Sequence, residues 1–99
     1  MDREKYAEEL MFQVSENLSD NEYLDKMTCE FKGDEIKLLF YIKPVPDFIF
    51  ADCIVTVDDT SDVNEDANEI TLKFLESATP KGVRIFSSFI RDIERWGTG

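Results

Sequence analysis

Residues 27–43 read MTCEFKGDEIKLLFYIK, and apolar side chains alternate with polar ones on either side of a short turn. The alternation runs over residues 27–31 and again over residues 36–42, and the turn between the two runs contains Gly33. A period of two is typical of a strand with one buried face. Two such runs around a glycine-containing turn predict a β-hairpin.

A third strand is predicted after the hairpin, over residues 48–57. Pro44 and Pro46 separate it from the hairpin, because proline has no backbone N–H to donate within a sheet. Apolar residues occur on both faces of this segment. The strand is therefore expected either to be covered on both sides or to offer Phe48 and Phe50 to a partner.

The segment after the third strand has an ambiguous pattern. Residues 58–69 read DDTSDVNEDANE and predict a polar, solvated connection. Over residues 70–76, the alternation of Ile70, Leu72 and Phe74 is typical of a strand, whereas Ile70 and Phe74 also fit one face of a helix. A helix would turn Leu72 about 200° away from Ile70. A fourth strand is therefore slightly favoured, and the helix is kept as the alternative.

Amphipathic helices are predicted near the two ends of the chain. Residues 2–18 carry apolar side chains at helical spacing, and Asp2 is suited to cap this helix. Thr79 suits the cap of a second helix, and Pro80 suits its first position. The apolar positions of the second helix recur as far as Trp96, which is expected at the edge of the core.

Together, these elements predict a single α+β domain that spans residues 1–99. It consists of a small antiparallel sheet of three or four strands, flanked by an N-terminal and a C-terminal helix, in the order α-β-β-β-(β)-α. The chain is 42% hydrophobic and contains eight Phe, so it has enough apolar surface to bury a core despite its charge.

The composition excludes several kinds of active site. The chain has no histidine, which excludes catalytic triads and imidazole-bound metals. Cys29 and Cys53 lack the CxxC spacing and are expected to be free, buried thiols. None of the four glycines lies in a phosphate-binding loop motif. We therefore expect no enzymatic activity and no cofactor.

Residues 58–69 also invite a calcium hypothesis. With Asp58 at position 1, oxygen-bearing side chains occupy most ligand positions of an EF-hand loop. Val63 then stands where the loop needs glycine, and a strand rather than a helix precedes the segment. The match is too weak to predict a metal site.

The charge of −11 is spread unevenly along the chain. Residues 44–72 carry eight acids and no base, whereas residues 73–99 carry three acids and five bases. The net charge exceeds the value of about 2–8 that solubility requires. Because the chain is so acidic, we expect no direct binding to nucleic acid.

A cationic protein partner is the first functional hypothesis. A compact chain of this length spans roughly 30 Å, and duplex DNA of that length carries about 18 charges, so the two charge densities are comparable. This predicts a non-enzymatic acidic inhibitor, a nucleic-acid mimic that blocks a basic nucleic-acid-handling protein. Phage counter-defence proteins (anti-CRISPR or anti-restriction) and nuclease immunity proteins are the analogous classes by size and charge. The residues expected at the interface are Asp58, Asp59, Asp62, Glu65, Asp66 and Glu69 as phosphate mimics, with Phe48 and Phe50 as anchors.

The alternative hypothesis is a homodimeric assembly adaptor or chaperone-like protein that binds its partner through apolar surface. Under this hypothesis the acidic residues keep the complex soluble. No apolar run approaches the ~20 residues that span a bilayer, and the first residues lack the apolar core of a signal peptide. Under either hypothesis we expect a cytoplasmic protein with no membrane contact.

Overall fold

The computed structural model describes residues 2–98, with side chains up to Trp96. Within this range, the chain forms three α-helices and one three-stranded antiparallel sheet, and the predicted α+β class is confirmed. The elements are α1 (Arg3–Asn17), β1 (Leu24–Lys32), β2 (Glu35–Ile42), β3 (Ala51–Thr56), α2 (Val63–Ser77) and α3 (Pro80–Thr98).

The predicted hairpin is present and builds the first two strands of the sheet. Lys32 pairs with Glu35 across the turn, where Gly33 has a φ of +60°. This is the left-handed region that glycine enters without a steric penalty. The strand order is β1-β2-β3, so β2 is the central strand.

The two cysteines are free thiols, as expected, but only Cys53 is buried, whereas Cys29 is partly exposed. Leu38 of the central strand β2 lies opposite Cys29 of β1 on one side and opposite Cys53 of β3 on the other. Two strand spacings, about 10 Å, therefore separate them, which is too far for a disulfide. Burial raises the pKa of both thiols.

The third strand is shorter than predicted, because it covers Ala51–Thr56 rather than residues 48–57. The residues before it form turns. The N–H of Val45 donates to the carbonyl of Ile42 (3.2 Å), and the N–H of Phe48 donates to the carbonyl of Val45 (3.3 Å).

The main core lies on one face of the sheet, although Leu39, which points to the opposite face, is also buried. The even-numbered residues of β2, from Ile36 to Ile42, are all at most 1% exposed. Helix α1 begins after Asp2, whose carboxylate accepts hydrogen bonds from the N–H groups of Glu4 and Lys5, so the predicted cap is confirmed. The helical part of this core comprises Tyr6, Ala7, Leu10 and Val14 of α1 and Ala67, Ile70 and Phe74 of α2.

The slight preference for a strand over residues 70–76 is wrong, because Val63–Ser77 forms the helix α2. Ile70 and Phe74 are buried as in the helical alternative, and Leu72 lies off this face with 62% of its surface exposed. A single exposed leucine is ordinary in a folded protein. The cap provided by Asp62 and the helical spacing of the buried residues outweigh the strand-like alternation that includes Leu72.

The prediction of a polar connection over residues 58–69 is therefore wrong in its second half, which is helical. The EF-hand register that starts at Asp58 fails for the same reason. Positions from Val63 onward project from a helix and not from a ligand loop.

Helix α3 begins as predicted at Pro80, with the hydroxyl of Thr79 accepting a hydrogen bond from the N–H of Gly82 (3.0 Å). Val83 is buried in the core, and Phe86 packs against it. The described residues measure 50 × 28 × 15 Å, so the molecule is elongated rather than a compact body of roughly 30 Å.

Candidate protein-binding surfaces

The first candidate surface is formed where three separate segments meet. These are the start of α1, the turn between β1 and β2, and the connection from β3 to α2, where the N–H of Val57 donates to the carbonyl of Asp34 (2.9 Å). We call this surface the acidic end. It is an open depression whose acidic lining residues are Asp2, Glu4, Asp34, Asp58 and Asp59.

A single base, Arg3, lies among the described residues that line the acidic end. Its guanidinium carbon is 5.2 Å from the ring centroid of Phe31, the geometry of a cation–π contact. Five carboxylates against one guanidinium leave the lining of this end with an excess of negative charge.

Asp58 both shapes the connection and contributes charge. Its carboxylate accepts hydrogen bonds from the backbone N–H (2.8 Å) and the hydroxyl (2.6 Å) of Thr60. These hydrogen bonds to the side chain and backbone of Thr60 lower the pKa of Asp58. The carboxylate therefore stays ionised to lower pH than an ordinary aspartate.

Asp62 and Glu65 stabilise the start of α2. The Asp62 carboxylate accepts hydrogen bonds from the N–H groups of Asn64 (2.9 Å) and Glu65 (3.5 Å). Glu65 lies in the first turn, where a negative charge is favoured by the helix dipole. Both side chains are exposed, so they also add to the charge of this part of the surface.

Asp66 is held by a contact between the two core helices. It accepts a hydrogen bond from the hydroxyl of Tyr6 on α1. Burial raises the pKa of Tyr6, and the hydrogen bond to Asp66 raises it further. Asp66 is therefore engaged in joining α1 to α2.

Glu69 lies one helical turn from Lys73, and their side chains form an exposed ion pair at 3.7 Å. Of the acids predicted at the interface, only Asp58 and Asp59 line the acidic end. The remaining four are the α2 residues and cap described above: Asp62, Glu65, Asp66 and Glu69.

The two predicted anchors lie away from the acidic end. Phe50 packs edge-on against Phe74 (centroids 6.1 Å apart) and Phe86 (5.1 Å). The length of β3, roughly 20 Å, separates Phe50 from Asp58. Phe48 is half-buried in the turns before β3. The structure does not bring these aromatics together with the acids.

Asp2, Glu4 and Asp34 belong to this surface, although no pattern in the sequence predicted them there. Each lies far along the chain from Asp58. The turn position of Asp34 at the end of the hairpin is the one signal that could have placed it beside the end of a third strand.

The second candidate surface is on α3, where large apolar side chains face outward. Residues three and four positions apart share one face of a helix, so these side chains form a continuous stripe. We call this the apolar stripe. Its members and exposed fractions are Ile85 (59%), Phe89 (60%), Ile93 (46%) and Trp96 (84%).

The expectation that the apolar face of the C-terminal helix belongs to the core is only half right. Val83 and Ile90 are buried, whereas Trp96 is almost fully exposed rather than at the core edge. The apolar arc of α3 is wide, and its inner part alone contacts the body. Exposed basic side chains border the outer part: Lys81, Arg84, Arg91 and Arg95.

Other kinds of site receive no support from residues 2–98. In this range, no group of three or more cysteines and carboxylates is arranged to hold a metal ion. No helix among the same residues is both long and apolar enough to cross a bilayer.

Comparison of the chain with protein-family models, with curated protein sequences and with solved structures gave no match.

Proposed function

We propose that this chain is a non-enzymatic protein-binding inhibitor whose acidic end engages a basic surface of a nucleic-acid-handling protein. The observation that carries this proposal is the convergence of acids from three separate segments, with Arg3 as the single base among the described lining residues. Such a surface steers a cationic partner toward one end of the molecule.

The dimensions of the molecule restrict the nucleic-acid mimicry to this end. Duplex DNA as long as the molecule's 50 Å axis carries about 30 charges, against the net charge of −11 here. The whole body therefore has about a third of the charge density of DNA. We therefore assign the mimicry to the acidic end, where five acidic residues line one depression.

The expected partner is a protein with a groove lined by Lys and Arg, such as a nuclease or a CRISPR or restriction component. Small inhibitors of such proteins in phage counter-defence, and nuclease immunity proteins, are analogous in size and charge. Blocking the groove requires no chemistry, so the absence of histidine is consistent with this role.

The test compares two triple variants that remove equal charge. The first, Glu4→Gln/Asp34→Asn/Asp59→Asn, removes three of the five carboxylates of the acidic end but leaves the capping Asp2 and the turn-forming Asp58 intact. The matched control neutralises exposed acids elsewhere, at Glu16, Asp20 and Asp47. Each tagged protein is used to recover partners from lysate at about 50 mM and about 500 mM salt, and the affinity for the recovered partner is then measured.

The first triple variant should bind its partner at least about tenfold more weakly, equivalent to about 1.4 kcal/mol. The control should bind within about twofold of the wild type, and about 500 mM salt should release the partner from the wild type. Equal losses in both variants would show that only total charge matters. A partner that is retained at high salt by all three proteins would also contradict the proposal.

A dimeric adaptor that binds through apolar surface is the second candidate function. The apolar stripe favours it, because stripe residues are 46–84% exposed at helical spacing. An adaptor of this kind should retain its partner at about 500 mM salt, since apolar contacts are not screened. It should lose the partner when Phe89 is replaced by Asp.

A further inference from the structure

We infer that the apolar stripe of α3 is the interface of a homodimer, in which the α3 helices of two copies pack stripe against stripe. The stripe is on a different surface from the acidic end, so this inference does not depend on the proposed inhibitor function. It supplies the interface that the adaptor alternative requires.

The size of the stripe is sufficient for self-association. Four side chains that are 46–84% exposed, each with roughly 200 Å² of surface, present about 500 Å² of apolar area. This is at the upper end of the largest patches that monomers leave exposed. Two stripes facing each other bury about 1,000 Å², the lower limit for a specific interface.

A two-fold axis makes the stripe its own partner. In a symmetric dimer the same patch serves both copies, so a linear seam of aromatic and β-branched side chains meets an identical seam. From Ile85 to Trp96 the stripe is about 16 Å long, at 1.5 Å per residue. Phe89 lies near its middle and is expected to contribute most, because central aromatic residues dominate such interfaces.

The charge distribution selects α3 as the face through which two copies approach. Helix α3 contains four bases and two acids and so has a net charge of +2. Because the whole chain has a net charge of −11, the residues outside α3 have a net charge of −13. Two copies that met through their acidic bodies would repel each other. Contact through α3 keeps the two anionic bodies apart, and the two helices that face each other carry a net charge of only +2 each.

An amphipathic helix with Trp and basic residues also suits the surface of a lipid bilayer. The charge of −13 outside α3 opposes approach to anionic lipids, which favours a second copy as the occupant. Binding to vesicles is therefore an outcome that would count against the dimer.

The test is the molar mass in solution, measured by light scattering and sedimentation from about 5 to about 200 µM protein. Wild-type protein should reach twice the chain mass of 11.5 kDa, at both about 150 and about 500 mM salt. Phe89→Asp should raise the dimer dissociation constant by at least about 100-fold, because the dimer would bury two carboxylates in an apolar seam.

Phe12→Asp is the matched control, since Phe12 is 65% exposed on α1 and lies outside the stripe. This variant should dimerise like the wild type. Circular dichroism of both variants verifies that the helices are retained. The inference is overturned if the wild type stays monomeric at about 200 µM, if Phe12→Asp dissociates the dimer as strongly as Phe89→Asp, or if the monomeric protein instead co-sediments with vesicles of phosphatidylglycerol and phosphatidylcholine.

Discussion

At the acidic end, carboxylates from three segments of the chain share one surface with a single guanidinium among the described lining residues. On α3, by contrast, apolar side chains point outward beside exposed lysine and arginine residues. The first surface acts over a distance and is weakened by salt, whereas the second acts only on contact and is insensitive to salt. The net charge of −11 therefore does not reveal that the molecule has two surfaces suited to different partners.

One aromatic cluster joins the sheet, α2 and α3, away from the acidic end. Phe74 of α2 stacks on Phe40 of β2 with ring centroids 4.9 Å apart. Phe50 contacts Phe74 on one side and Phe86 of α3 on the other. Changes in this cluster should affect the packing of α3 and the stability of the domain, whereas changes within either surface should remain local.

The largest effect is expected from Phe74→Ala, which removes the centre of this cluster. Because Phe74 is 1% exposed, its loss should lower the free energy of unfolding by about 3–5 kcal/mol. Leu72→Ala, on the exposed face of the same helix, should change it by no more than about 0.5 kcal/mol. Urea denaturation measures both, and similar losses for the two variants would contradict the observed packing of α2.

A smaller effect is expected from Tyr6→Phe, which removes the hydrogen bond from α1 to Asp66 on α2. The loss of a hydrogen bond to a carboxylate should cost about 1–3 kcal/mol at neutral pH. The effect should be confined to the helix pair beside the acidic end, so the dimer mass should not change.

The pH dependence of stability gives a second measure of the same contact. Burial and Asp66 raise the pKa of Tyr6 above the ordinary tyrosine value of 10.0, so the folded state favours the neutral hydroxyl. The resulting stability is fully present below pH 10 and is lost as pH rises above it. Tyr6→Phe should flatten this alkaline decline, and Tyr41→Phe should preserve it. If the free energy of unfolding declined identically at alkaline pH in the wild type and in Tyr6→Phe, this account of Tyr6 would be contradicted.

The smallest stability effect is expected from Asp62→Ala, which removes the cap of α2. The free energy of unfolding should fall by about 1 kcal/mol. Asp59→Ala removes the same charge without removing the cap and should leave stability within about 0.5 kcal/mol of the wild type. If thermal denaturation showed equal shifts for both, the effect would come from charge and not from the cap.

The hairpin and the starts of α1 and α3 could be predicted from sequence, because local signals determine them. Gly33 marks the turn, Asp2 marks the cap, and Pro80 marks the first turn of α3. Helix α2 was harder to predict, since Leu72 continues the alternation of Ile70 and Phe74 that is typical of a strand. Only the packing of Ile70 and Phe74 against the sheet resolves that ambiguity.

The two candidate surfaces were predictable only in part. The excess of acids over residues 44–72 is visible in the sequence, but the contribution of Asp2 and Asp34 depends on tertiary contacts between distant segments. Likewise, the sequence shows that α3 has a wide apolar arc. It does not show that Val83 faces the core while Phe89 faces outward, because periodicity does not reveal how much of an apolar face is covered.

Hydrogen–deuterium exchange at two protein concentrations tests most directly whether the surfaces act separately. The amides of Ile85 through Trp96 should exchange more slowly at high concentration, because dimerisation suppresses local opening of α3. The amides of the acidic end, including Asp34 and Asp58, should exchange at the same rate at both concentrations. Self-association is assigned to the apolar stripe and partner binding to the acidic end. This assignment would be contradicted if protection of α3 did not depend on concentration, or if the concentration-dependent protection appeared at the acidic end instead.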